Sequence, residues 1–165
     1  MKNVFALLAL VAAAGTASAG IVATAQPIDS GPSFEARATP VFTAIAGPYA
    51  AFSAATGSLG YDDFDTTLTG GSDTLTELRF VGGVTAVGGV IDFNIYDASQ
   101  TLVDSFFVTF GQAGNFIWTI TGLSETLPDQ GYLELIARTG TTGQWFLSVT
   151  APSLGTESRA PNQGS

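Results

Sequence analysis

The chain has 165 residues, with five Lys and Arg against 14 Asp and Glu, a formal net charge of −9, and neither Cys nor His. Those absences exclude a Ser-His-Asp triad, thiolate chemistry, imidazole or thiolate metal ligands and disulfides. The acidic balance is a poor match for nucleic acid or anionic membrane surfaces, whose partners present clustered Lys and Arg.

The first residues, MKNVFALLALVAAAGTASAG, place one positive charge at Lys2 before an apolar run from Val4 to Ala14 and the small-x-small pattern Ala17-Ser18-Ala19. This pattern predicts a signal peptide over 1–19 and an exported protein, periplasmic or extracellular. The run is shorter than the roughly 20 residues a bilayer span needs, and no membrane anchor is expected. Lys2 leaves with the signal, so four Arg face 14 acids, a net −10, and lysine Schiff-base chemistry goes too. Residues 20–32 read as a flexible start.

One or two strands are expected between Ser33 and Ser53, from FEARATPVF and YAAFS. The Ala-rich stretch 46–56 opens with Gly and Pro, which argue for loop or strand over helix. YDDFD (61–65) reads as an acidic loop before a Gly-Gly turn. Strands are predicted over 74–81 (TLTELRFV), 90–96 (VIDFNIY), 101–110 (TLVDSFFVTF), 116–121 (FIWTIT), 132–138 (YLELIAR) and 145–150 (WFLSVT), most with period-two alternation. In VIDFNIY, Ile91, Phe93 and Ile95 fall inward and Asp92 and Asn94 outward. DASQ (97–100) makes 90–110 a hairpin, and LPDQG (127–131) and TGTTG (139–143) are turns. VGGVTAVGGV (81–90) lacks phosphate-loop and dinucleotide spacing and reads as turns or bulges. Residues 153–165 form a polar tail. The whole predicts one all-β domain over 33–152, an antiparallel β-sandwich, jelly-roll-like.

Three features carry chemistry. Asp62, Asp63 and Asp65 are candidate calcium ligands, because calcium takes six to eight oxygens and Asp63 and Asp65 share a side of an extended segment. The opposing reading is a solvated acidic loop. Trp118 shares a face with Phe116 and Ile120, as a core residue does. Trp145, beside Gln144, is the better candidate for exposure and, with Tyr132, for stacking on a sugar. Phe106-Phe107 sits mid-strand, so one ring faces away from the core. FFVTF and NFIWTIT are uncharged, β-prone stretches that are either central strands or a route to self-association through an edge. For catalysis only carboxylates remain, and 14 acids make some glycosidase-like or lyase-like pair easy to imagine.

The stretch Gly57 to Leu154 resembles a group of exported bacterial β-sandwich proteins that often carry a PEP-type C-terminal sorting signal. The resemblance is carried by YDDFD, LRFVGGV (78–84), IDFNIYDASQTLVDSF (91–106), GNFIWTIT (114–121) and GQWFLS followed by APSLG. The chain departs from that group in having no Pro-Glu-Pro, membrane helix and basic end, so sorting by that route is not expected. IDFNIYDASQTLVDS is also similar to the strand-turn-strand of pre-peptidase C-terminal domains, accessory jelly-roll-like units of secreted enzymes. Both resemblances point away from catalysis. With the residue-level candidates above, the chain reads as a non-catalytic binding or structural module, for which the aromatic residues suggest carbohydrate or extracellular matrix, the uncharged strands a second copy, and the Asp cluster calcium.

Overall fold

A computed structural model describes residues 20–28, 49–69 and 74–148. Nine strands lie among them: β1 Val22–Gln26, β2 Tyr49–Ala54, β3 Gly57–Asp65, β4 Thr74–Val84, β5 Val90–Asp97, β6 Leu102–Thr109, β7 Gly114–Thr126, β8 Gln130–Ala137 and β9 Gly143–Ser148. A 3-10 turn, Thr66–Thr69, follows β3, and no α-helix occurs among the described residues. The strands form two antiparallel sheets packed against each other, ordered β1-β7-β4-β9-β2 and β3-β8-β5-β6.

The order has a simple origin. β5 pairs with β6, β4 with β7, β3 with β8 and β2 with β9. The chain is thus one long antiparallel ribbon doubled back at the β5–β6 turn and rolled into two layers, the jelly-roll arrangement, with β1 added outside β7. Local chemistry makes the tip of the ribbon. The Asp97 carboxylate accepts the backbone N–H of Ser99 at 2.8 Å and of Thr101 at 2.9 Å, while Gln100 takes the left-handed conformation at φ 64°.

Alternation builds the core. Ile91, Phe93 and Ile95 of β5 are wholly buried, as the period of two predicts, and Leu135 and Ala137 of β8 meet them from the next strand. From the five-stranded sheet come Phe80, Val84, Trp118, Ile120 and Trp145. Phe93 stacks on Phe106 at 4.8 Å, and Phe110 meets Trp118 edge-on at 4.7 Å. Each such ring contributes about 1.5–3 kcal/mol of burial, the main source of stability in a chain without disulfides. A smaller cluster, Val81 and Ile117 with Ile28 and Phe146, sits on the other side of the five-stranded sheet.

The expected all-β sandwich is what the chain forms, and all six predicted strands from 74 to 148 are present. Other expectations are corrected. Val22–Gln26 falls in the segment expected to be flexible, yet it pairs with Thr121 to Ile117 of β7. YDDFD is the second half of β3 rather than a loop. Gly82-Gly83 lies inside β4, between β7 and β9, and only Gly88-Gly89 serves a turn. The expected signal peptide, the strand expected in FEARATPVF, residues 149–150 and the expected polar tail lie outside the described residues.

Candidate functional site

The outer face of the four-stranded sheet is where polar and aromatic side chains converge. On β5 and β8 the apolar alternates point to the core, so Asp92, Asn94 and Tyr96, and Tyr132, Glu134 and Ile136, point away from it. Register then sets cross-strand rows. One row runs Tyr61, Glu134, Asn94, Ser105; the next runs Asp63, Tyr132, Tyr96. Three of the chain's four tyrosines thus occupy two adjacent rows.

Glu134 is the hub. It is only 4 % exposed although it lies on the outer face, because Tyr61 and Tyr96 close over it. The Tyr96 hydroxyl donates to Glu134 Oε2 at 2.8 Å, and Tyr61, directly opposite Glu134 in register, stands beside the same carboxylate. Asn94 Nδ2 donates to Oε2 at 3.4 Å and to the Tyr96 hydroxyl at 3.3 Å. The two rings lie 6.3 Å apart, tilted by 44°. A buried carboxylate is costly unless hydrogen-bonded, and a phenol and an amide supply those bonds here.

The same arrangement holds both phenol protons. Burial and the neighbouring Glu134 carboxylate push the Tyr61 hydroxyl well above the ordinary tyrosine range, and burial with the hydrogen bond to Glu134 and its charge raises Tyr96. The folded state therefore holds these protons more tightly than the unfolded chain does. Their contribution to stability is complete below pH about 10 and is lost as the pH rises through the folded-state values. Phenolate absorbance should show fewer than four tyrosines ionised in the native protein at pH about 11, against all four in urea. Tyr61→Phe should remove one of the late-titrating groups; a native titration that superimposes on the urea curve would count against the network.

At the edges of this face other groups are already engaged. Arg138 donates from Nε to both Asp92 carboxylate oxygens, at 2.9 and 2.8 Å, and its guanidinium lies 4.3 Å from the Phe107 ring centroid. Asp65 accepts Gln130 Nε2 at 2.7 Å and the Thr67 backbone N–H at 2.9 Å, closing the turn after β3. Beyond it a shallow open depression is lined by Thr67, Asp97, Ala98, Ser99, Pro128, Asp129 and Gln130.

The residues singled out from sequence separate on this frame. Tyr132 is half-buried on the outer face, between Asp63 and Tyr96. Trp145 is not exposed as expected: it is 4 % accessible and packs in the main core, in the other sheet, so the two do not form one site. Trp118 is in the core, with its indole N–H bonded to the Gly82 carbonyl at 3.0 Å. Along β3, Asp62 lies opposite Leu133, whose alternates face the core, whereas Asp63 and Asp65 lie opposite Tyr132 and Gln130 on the outer face. No group of three or more carboxylates is placed to hold a metal ion among the described residues. Glu134, Asn94 and Tyr61 were not singled out as a set. Their only sequence signal is the outward phase of their strands, since the rows join segments far apart in the chain.

No family model matches the chain, and neither the curated proteins nor the solved structures offer a match.

Proposed function

We propose that this protein is an exported, non-catalytic binding module that takes a polyhydroxylated ligand, a surface or matrix glycan, on the outer face of the four-stranded sheet. The observation that carries the reading is the pair of rows Tyr61–Glu134–Asn94 and Asp63–Tyr132–Tyr96. Sugar rings offer C–H faces that lie against aromatic rings, and hydroxyls that donate to carboxylates and accept from amides. The sheet presents the half-buried rings of Tyr61, Tyr96 and Tyr132 beside the Asp63 carboxylate. The buried Glu134 fixes Tyr96 from beneath and is not itself offered to a ligand. The excess of acids favours neutral or amino sugars over anionic polysaccharides.

Export is supported by the leader pattern of the first 19 residues. A non-catalytic role is supported by the engagement of Glu134 with the Tyr96 phenol, which leaves no pair of carboxylates facing a reacting bond in this network. The reading needs no bound ion.

The test is titration calorimetry of the protein with neutral and amino-sugar oligosaccharides, with and without EDTA. Binding should be unchanged by EDTA, and Tyr132→Ala should raise Kd roughly tenfold or more, as removal of a stacking aromatic does. Binding that survives Tyr132→Ala and Asp63→Ala together would move the site off this face.

A further inference from the structure

The four-stranded sheet has two edges of opposite character. β3 exposes its edge with Asp62, Asp63 and Asp65, and acids along an edge oppose pairing with another acidic strand. β6, at the other edge, reads LVDSFFVT, with one acid and neither Lys nor Pro. That acid does not guard the edge. The Asp104 carboxylate turns back to accept the Ser105 N–H at 2.9 Å and the Thr126 N–H at 2.8 Å.

Phe110 exchanges backbone hydrogen bonds with Gly88 and Gly89 on the β5 side. The alternation of an antiparallel ladder therefore points the N–H and C=O groups of Phe106 and Val108 toward β5, and those of Ser105, Phe107 and Thr109 away from it. On the free side among the described residues no strand pairs with β6. Phe107, mid-strand, is 41 % exposed.

We infer that β6 pairs antiparallel with β6 of a second copy, about a two-fold axis at Phe107. The register is self-complementary. Phe107 lies opposite Phe107 and exchanges both backbone bonds with it, and each Thr109 N–H reaches the Ser105 carbonyl across the axis. On the outer face the two exposed rings meet, flanked by Ser105 and Thr109, and no carboxylate of β6 faces another. Asp104 falls opposite Phe110 of the other copy. Arg138, beside each Phe107, already carries its charge against Asp92, so the rings meet without bare like charges. A bulge between the partners of Ile95 and Tyr96 bends Leu102 and Val103 out of the pairing and limits it to Ser105–Thr109. So short a strip marks a weak, concentration-dependent dimer. It joins two four-stranded sheets edge to edge.

The chain has no cysteine, so single cysteines report the register without background. Opposed residues of a hydrogen-bonded pair lie about 5.5 Å apart at Cα, within disulfide reach. The full chain is expressed with residues 1–19 in place, purified and oxidised at a concentration where sedimentation shows dimer. Phe107→Cys should cross-link to itself. Ser105→Cys and Thr109→Cys should each stay monomeric alone and cross-link when mixed. In the cysteine-free protein, Phe107→Lys, which opposes two charges, should raise the dimer dissociation constant roughly tenfold with an unchanged circular dichroism spectrum. A chain that sediments as a monomer throughout, or cross-linking equal at all three positions, would overturn the pairing. So would a dimer indifferent to Phe107→Lys.

Discussion

Trp118→Ala is expected to cost about 3–5 kcal/mol of unfolding free energy, a large share of what a domain of this size has. Trp118 is 2 % exposed, on β7 between β1 and β4, and its ring takes edge-on contacts from Phe110 at 4.7 Å and Phe116 at 5.5 Å. Truncation removes those contacts and opens a cavity between strands that cannot close without parting the sheet. It also strips the Gly82 carbonyl of its indole donor. Trp118→Phe separates the two effects: it keeps most of the apolar volume, loses the N–H, and should cost about 1–3 kcal/mol. In urea the Trp118→Ala midpoint should fall by roughly 1–2 M with little change in slope, and a fall no larger than that of Trp118→Phe would show that packing at this ring is not what holds the sheets.

Gly83→Ala is the second large effect, expected at about 2–5 kcal/mol. Gly83 lies within β4 at φ 154°, a conformation L side chains rarely adopt. A Cβ there would collide with the Gly114 carbonyl on β7, and would stand 3.3 Å from Trp118 Nε1. The obstruction is backbone, so no side chain can swing aside to relieve it. Gly111→Ala is the control, because a Cβ at that position meets nothing within 4 Å. Thermal unfolding of the two variants side by side gives the answer: Gly111→Ala within about 0.5 kcal/mol of the parent, Gly83→Ala far below it. Equal midpoints would mean that β4 and β7 do not approach each other as described.

These two sites also show what was legible in the sequence. The hairpin 90–110 was readable because everything that makes it is local: clean alternation in VIDFNIY and an Asx-type turn at Asp97. Trp118 announced itself as core through Phe116 and Ile120 on the same phase. Gly82-Gly83 did not, since a Gly pair signals a turn unless one knows that an indole and a neighbouring backbone need the space. Trp145 was misread because the polar Gln144 beside it suggested exposure. Strand alternation sends Gln144 out, to Asn115 and Ser53, and Trp145 in. YDDFD looked like a loop because acids are rare in strands, yet Asp63 and Asp65 take the outer face of an edge strand, which accepts them at little cost. The Glu134 network was invisible for a different reason: its members come from three strands whose pairing is set only when the roll closes.

The doubled ribbon also dictates when this protein can fold. Only β5 and β6 are neighbours in both sequence and space; every other pair joins strands with at least two others between them in the chain. Loop closure makes such distant pairings slow, and they are best formed from the β5–β6 tip outward: β4 with β7, then β3 with β8, then β2 with β9. The four-stranded sheet needs β8, up to Ala137, and the outermost rung of the five-stranded sheet needs β9, near residue 148. A chain threaded through a membrane N-terminus first would stay unfolded until nearly all of it had crossed. Under the export proposed above, the topology sets the order of events on the far side: the two sheets close only once β8 and then β9 have emerged.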